Sequence, residues 1–209
     1  VPVPTPGKGD PAARAVGSGK DLHEKRLAKA NLRSLDLQAA NFEDAELYGC
    51  DLSKMDLRWA NLRGADLSQV NLMEADLRGA DLRDAKLSAT LFQGARLAGA
   101  NLEGTDLTLA TFRETDFHGA NLSRTRGLQD ITKSDLREAD LSGARMKSAR
   151  DWDGSSARFE GAKYDTKTTW PDGVLPEVIG ATKIDSRAVA VEAEAELPPL
   201  EVGTGEDFS

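Results

Sequence analysis

Residues 60–87 read ANLRGADLSQVNLMEADLRGADLRDAKL, with Leu at 62, 67, 72, 77, 82 and 87. Extending outward in both directions, Leu or Phe holds every fifth position from Leu22 to Leu122, twenty-one blocks in register, seventeen of them Leu. Two places earlier stands a small residue, as at Ala40, Ala45, Cys50, Ala60, Ala65, Ala75, Ala80, Ala85, Ala95 and Ala100. One place earlier stands Asp or Asn in most blocks, as at Asn31, Asp36, Asp51, Asn61, Asp66, Asn71 and Asp76. The block is A-(D/N)-L-x-x.

A period of five matches neither the 3.6 of a helix nor the 2 of a strand, so neither element keeps the Leu set on one face for a hundred residues. A coil that turns a corner every five residues does. If four blocks make one square turn, Leu and the small residue both point inward, and residues twenty apart stack at the strand spacing of ~4.8 Å. Five such coils give a rod on the order of 25 Å long. The small residue is a steric requirement, because four Leu and four inward neighbours share each narrow layer. Leu35, Met55, Val70 and Thr90 depart from that rule, and the core must absorb them. Phe92 and Phe112, twenty apart, are expected to stack.

On these residues the chain resembles the pentapeptide-repeat family, over roughly residues 20–149. The resemblance implies an all-β fold, a right-handed quadrilateral parallel β-helix, here with extended tails. It implies fold more sharply than function. Similar family members include cyanobacterial and thylakoid-lumen proteins, repeat domains fused to other modules, and bacterial proteins that protect DNA gyrase by mimicking DNA. The A-(D/N)-L-x-x pattern looks more like the cyanobacterial and lumenal members, since the gyrase-protecting ones favour central Phe and an acidic body.

The expected organisation is a Pro/Gly-rich tail over residues 1–19, the β-helix over 20–124, interrupted repeats and a cap over 125–183, and an acidic tail over 184–209. Register slips after Leu122, where the next aligned Leu is Leu136, fourteen residues on; Arg126-Gly127-Leu128-Gln129 reads as a bulge or short loop. A second interruption falls at residues 151–156, and Trp170-Pro171-Asp172-Gly173 reads as a turn, with Tyr164 to Pro176 closing the last coil. Lys20 and Lys25 take small-residue slots, so residues 20–29 form either a frayed first coil or a capping helix.

Composition narrows the function classes. Aromatic residues are 5 % of the 209 residues and charged residues 30 %, and the formal net charge is −8. That charge is concentrated in the acidic tail, and a partner bound by phosphate neutralisation requires a basic face, so direct nucleic-acid binding is not expected. No apolar run reaches the ~18 residues of a membrane span, although peripheral association with a membrane complex fits the family resemblance. The chain opens at Val1 rather than Met, which fits removal of a targeting peptide or a tag. One cysteine, Cys50, excludes an internal disulfide framework and multi-Cys zinc sites. His23 and His118 are the only histidines and fall on different faces, so no catalytic, metal or cofactor site is expected. Asp151-x-Asp153-Gly154 lacks the remaining ligands of a calcium loop and reads as a turn.

Function is therefore expected on outward residues. On the face of Leu37, Leu57, Leu77, Leu97 and Phe117, one column reads Ala39, Trp59, Gly79, Gly99, Gly119 and its neighbour Gln38, Arg58, Arg78, Ala98, His118. Trp59 with Arg58 and Arg78 is a candidate protein-docking surface, Trp and Arg being favoured anchors; alternatively Trp59 covers its own rod or packs on a tail. Met73 and Leu91 form a smaller candidate patch on another face. The expected function is a non-catalytic, protein-binding scaffold, a subunit or accessory factor of a larger complex, with a photosynthetic complex as one setting that the family resemblance implies. The alternative is a DNA-mimicking topoisomerase-protection protein. By resemblance, the expected location is the chloroplast thylakoid lumen, with bacterial cytoplasm as the alternative. A homodimer through the C-terminal end is a further family-derived expectation, with Phe159, Tyr164 and Trp170 either serving it or capping a monomer.

Overall fold

The computed structural model describes residues 19–146 and 156–185. The two expected tails, apart from their innermost residues, and the Asp151-x-Asp153-Gly154 turn lie outside the described residues.

Each five-residue block makes one corner. The Leu carbonyl accepts a hydrogen bond from the N–H three residues on, as in Ala60 to Leu57 at 3.1 Å and Ala80 to Leu77 at 3.0 Å. The second residue after the Leu has positive φ, for example 62° at Trp59 and 69° at Gly79, which is the type II turn. The Asp or Asn before the Leu fixes the turn from outside: its carboxyl or amide oxygen accepts the N–H two residues on, at 3.1 Å for Asp51 and Ser53 and 3.2 Å for Asn61 and Arg63. The three recurring features of the block thus have a local cause: a core filler, a corner and a side-chain clasp.

Parallel bridges twenty residues apart join successive coils in four columns. They run Asp21–Asn41–Asn61–Asp81–Asn101–Asn121, Arg26–Glu46–Asp66–Lys86, Asp51–Asn71–Leu91–Thr111 and Asp56–Asp76–Arg96–Asp116. This is the ladder of an all-β parallel solenoid. Its interior is a column of buried Leu and Phe with Ala between them, from Leu32 to Leu141. Fully burying each Leu contributes about 1.5–3 kcal/mol. Phe92 and Phe112 stack as expected, with centroids 5.1 Å apart and planes 15° from parallel.

The four irregular small-residue positions are accommodated in two ways. Val70 and Thr90 are buried, the Thr90 hydroxyl donating 2.8 Å to the Leu67 carbonyl of the preceding coil, whereas Leu35 and Met55 are only partly covered. Residues 20–29 form a coil and not a helix: Asp21 and Arg26 bridge to Asn41 and Glu46, and Glu24 and Lys29 hold the positive φ of the turn. Lys20 and Lys25 point to solvent there.

At the register slip, β1 (Arg126–Leu128) pairs in parallel with β2 (Arg145–Met146) across a bulge between Arg126 and Leu128. Gly127 takes the place in the period where a Leu would stand, and Leu128 enters the core instead. Beyond the second interruption the coil continues. β3 (Lys163–Tyr164) pairs in parallel with β4 (Thr182–Lys183), so the chain adds a further rung after the turn at Pro171–Gly173 instead of closing at Pro176. Trp170 meets Phe159 and Tyr164 edge-on at 5.7 and 5.6 Å, and the Tyr164 hydroxyl donates to Glu177.

Besides the steps from Asn31 to Asp51 and from Asp36 to Asp56 near its start, the ladder has an open step in the middle of the rod. Among the described residues Lys86 and Asp106 form no bridge, and the backbone N–H groups of Leu87, Ala89 and Asp106 find no carbonyl. The corner column beside this step changes there from Ala45, Ala65 and Ala85 to Thr105 and Thr125. Thr105 is buried and its hydroxyl turns back to the Leu102 carbonyl of its own corner at 2.6 Å, not to the coil before it.

Candidate functional site

The Trp59 face is built from corners. Trp59 is the positive-φ residue of its turn, its N–H donating to the Arg78 carbonyl of the next coil at 3.0 Å. The side chain is thereby aimed outward along the rod, and its indole lies over Gly79, where a Cβ would overlap Cζ3 and Cε3. Trp59 remains 39 % exposed. It covers its own rod on one side and presents a ring face on the other. Beyond it, at Gly99 and Gly119, a Cβ would meet nothing within 4 Å.

The neighbouring arginines are not free. Arg58 forks onto Asp56, Nε at 2.9 Å from Oδ1 and Nη2 at 2.6 Å from Oδ2; Arg78 does the same with Asp76 at 2.8 and 2.6 Å. Arg96 adds a contact to Asp76 at 3.2 Å. The Arg58 guanidinium holds the Asp56 carboxyl below its ordinary pKa. At Asp76 burial pushes the pKa up, but the hydrogen bonds from Arg78 outweigh it and the net shift is downward. Such planar, two-point pairs tile the face with neutral units.

The rule behind this pairing is written in three letters. Asp-Leu-Arg at 56–58, 76–78, 81–83 and 135–137 folds into an ion pair inside one block, with closest approaches of 2.5–2.6 Å. Asn-Leu-Arg has no carboxylate to offer, and there Arg33 and Arg63 reach to Asp51 and Asp84 of the next coil, at 2.5 and 3.1 Å. The D-L-R string was the available signal for which arginines stay at home; a column reading of charges alone misses it.

Met73 and Leu91 lie on neighbouring coils of a second face, Leu91 bridging Asn71 and Thr111. Met73 is half-buried, with its N–H held by Asn71 at 3.1 Å, and Leu91 is 38 % exposed. Leu109, which the sequence reading did not single out, is 61 % exposed and holds φ at 68°. His23 and His118 sit on different faces: His23 contacts the Glu43 carbonyl at 2.9 Å, and His118 Nε2 lies 3.7 Å from Glu138. Cys50 is buried, its Sγ 3.0 Å from the Leu27 carbonyl, and burial pushes the thiol pKa up. Among the described residues no group of three or more His, Cys, Asp or Glu side chains could hold a metal ion, and no helix is long and apolar enough to cross a membrane.

A family model for pentapeptide repeats matches the sequence in eight copies, over residues 26–64, 50–88 and 90–126. Within residues 26–126 the chain carries pentapeptide repeats of that family. No curated protein matches it in sequence. Among solved structures, the chain is similar to full-length QnrB1, a plasmid-mediated fluoroquinolone resistance protein, at 17 % identity and TM-score 0.51, covering 86 % of this chain and 98 % of that one. It is also similar to a pentapeptide-repeat protein from the Arabidopsis thaliana thylakoid lumen, at 28 % identity and TM-score 0.37 over 45 % of this chain and 63 % of the other. A third similarity is to HetL, involved in heterocyst differentiation regulation in the cyanobacterium Nostoc sp. strain PCC 7120, at 27 % identity, TM-score 0.37, and coverage of 79 % and 73 %. Of these three only the QnrB1 likeness exceeds 0.5, and at its identity it is a likeness of fold. The comparisons support the family and single out no lumenal sub-type.

Proposed function

We propose that this chain is a non-catalytic scaffold, a right-handed four-sided rod that presents flat faces to protein partners, with Trp59 at the centre of one docking face and Met73 with Leu91 on a second. The carrying observation is that an exposed indole stands among arginines already neutralised by their own carboxylates. Apolar recognition at Trp59 therefore proceeds without first breaking a charge network, while Arg58 and Arg78 supply a rigid polar rim. The proposed setting is an accessory role in a larger complex, in a thylakoid lumen or, alternatively, bacterial cytoplasm. Native co-purification of the wild-type chain and of Trp59→Ala, with companions identified by mass, tests the reading. Companions held by the wild type and lost by the variant support it; an identical set with both removes this face.

The likeness to QnrB1 over 98 % of that protein's length supports a second reading, topoisomerase protection by DNA mimicry. It asks for uncompensated carboxylates over a long span. Here many are paired across coils, as in Lys54–Glu74, Arg96–Asp76, Arg124–Glu103 and Arg126–Asp106. A gyrase supercoiling assay with a fluoroquinolone separates the readings: restored supercoiling at micromolar protein selects mimicry, and no restoration eliminates it. For a C-terminal homodimer, Phe159 and Tyr164 are already buried within the chain, so that interface would fall to the exposed Leu175 and Val178.

A further inference from the structure

We propose that the Trp59 face docks on a second copy of this chain, the two rods lying side by side and antiparallel about a two-fold axis that crosses the face between block 76–79 and block 96–99. This rests on the docking reading of that face and names its occupant. It is a different contact from one through the C-terminal end.

Two adjacent coils differ in every outward column of this face. Block 76–79 carries an acid, Asp76, then Arg78 forked onto it, then Gly79 buried beneath the Trp59 indole. Block 96–99 carries a base, Arg96, then the small Ala98, then Gly99, which is exposed and where a Cβ would meet nothing within 4 Å. One coil is acidic and raised, the next basic and low. They stack directly, the Leu77 N–H donating to the Arg96 carbonyl at 2.8 Å and the Gly79 N–H to the Ala98 carbonyl at 3.1 Å, so the step between them is ~4.8 Å.

A two-fold axis lying across the face reverses the direction of the rod and sets each column opposite itself, as an isologous contact requires. With the axis between these two coils, Asp76 faces the partner's Arg96, Arg78 stands over the partner's Ala98, and the indole above Gly79 seats on the partner's Gly99. Each contact occurs twice. Arg96 touches Asp76 of its own chain through Nη1 at 3.2 Å and keeps 51 % of its side chain exposed, so docking closes a ring of two carboxylates and two guanidiniums without breaking an existing pair. The indole, 39 % exposed in the single rod, is the apolar anchor. Neighbouring registers fail. An axis through block 76–79 sets Asp76 on Asp76, Arg78 on Arg78 and indole on indole, and an axis through block 96–99 sets Asp76 on the partner's Asp116. In the favoured register the next blocks out set Asp56 against the partner's Asp116, with Asp56 already forked by Arg58, so attraction is confined to the middle. Four coils make a contact about 19 Å long, at the small end for specific association, and the dimer is weak, with a dissociation constant on the order of 100 µM.

Sedimentation equilibrium of the purified full-length chain, from about 10 to about 1,000 µM, tests this. The wild type is expected to show a reversible monomer–dimer equilibrium, and Trp59→Ala and Arg96→Asp each to raise the dissociation constant about tenfold or more with an unchanged urea midpoint. Arg96→Asp and Asp76→Arg set like charges against each other in their own dimers. Mixed, they are expected to form a heterodimer, because every acid again faces a base. A chain that is monomeric throughout, a dimer that these variants retain, or no recovery on mixing the two folded variants overturns the proposal. A purified chain that stays monomeric, while Trp59→Ala still loses companions from an extract, would leave the docking reading standing and remove the second copy as its occupant.

Discussion

The indole of Trp59 fills the space that a side chain at Gly79, one coil further on, would need. Gly79 also holds φ at 69°, so Gly79→Ala meets both a strained backbone and the Trp59 ring. Gly99 has nearly the same φ, 67°, with nothing within 4 Å. Gly99→Ala is expected to cost about 1 kcal/mol from the backbone alone, and Gly79→Ala about 2–3 kcal/mol. Urea unfolding of both, and of Gly79→Ala in a Trp59→Ala background, checks the difference; equal losses at the two glycines would mean that the ring moves aside freely.

The open step between Lys86 and Asp106 predicts local exchange. Amide hydrogens of Leu87 and Ala89 should exchange faster than those of Leu67 and Gln69, which donate to Lys86 and Ser88 at 2.9 and 3.0 Å. Thr105→Ala restores the residue found at Ala45, Ala65 and Ala85 and is expected to slow the Leu87 and Ala89 amides about fivefold, one formed hydrogen bond being worth roughly 1 kcal/mol. Site-resolved hydrogen exchange reads this directly. Unaltered rates would assign the gap to something other than the Thr105 side chain.

Acid should weaken the rod in a defined window. Hydrogen bonds from Ser53 and then Arg33 hold the Asp51 carboxyl at about 2, against an ordinary 3.8, and those from Thr108 and then Arg126 do the same for Asp106. A carboxylate with a depressed folded pKa favours the folded state above its unfolded value, and that contribution disappears as pH falls from about 4 to about 2. The urea midpoint should be level from pH 5 to 8 and drop below pH 4. In Asp51→Asn/Asp106→Asn the drop should be shallower, and added salt should weaken the arginine contribution because both carboxylates are exposed. A parallel decline in wild type and variant would refute the assignment.

Core substitutions should be felt locally and steeply. Leu62 is fully buried between Phe42 and Leu82 in its column. Leu62→Ala is expected to cost about 2–5 kcal/mol, and Leu62→Lys to abolish the folded coil around it, since an unpaired ammonium would sit between layers. Circular dichroism during denaturation checks the first and limited proteolysis the second. A Leu62→Lys chain as resistant as the wild type would contradict an inward Leu.

How much could be read in advance differs from residue to residue. Twenty-one Leu or Phe residues at a spacing of five determined the coil, the inward Leu and the Phe92–Phe112 stack, because only a corner every five residues keeps such a set on one side. The clasp role of Asp and Asn is legible as corner hydrogen bonding, and the D-L-R string carries the pairing of Arg58 and Arg78, which a column of charges does not show because the partners lie within one block. Tertiary structure alone decided the rest. That Leu128 and not residue 127 enters the core, that Lys86 and Asp106 fail to pair, that the rod gains a rung beyond Pro176, and that the Trp59 ring lies over Gly79 all depend on which coil lies next to which. A period specifies the average rung. It is silent on how one rung departs from its neighbour, because that depends on side-chain volumes and hydrogen bonds contributed by residues twenty positions away.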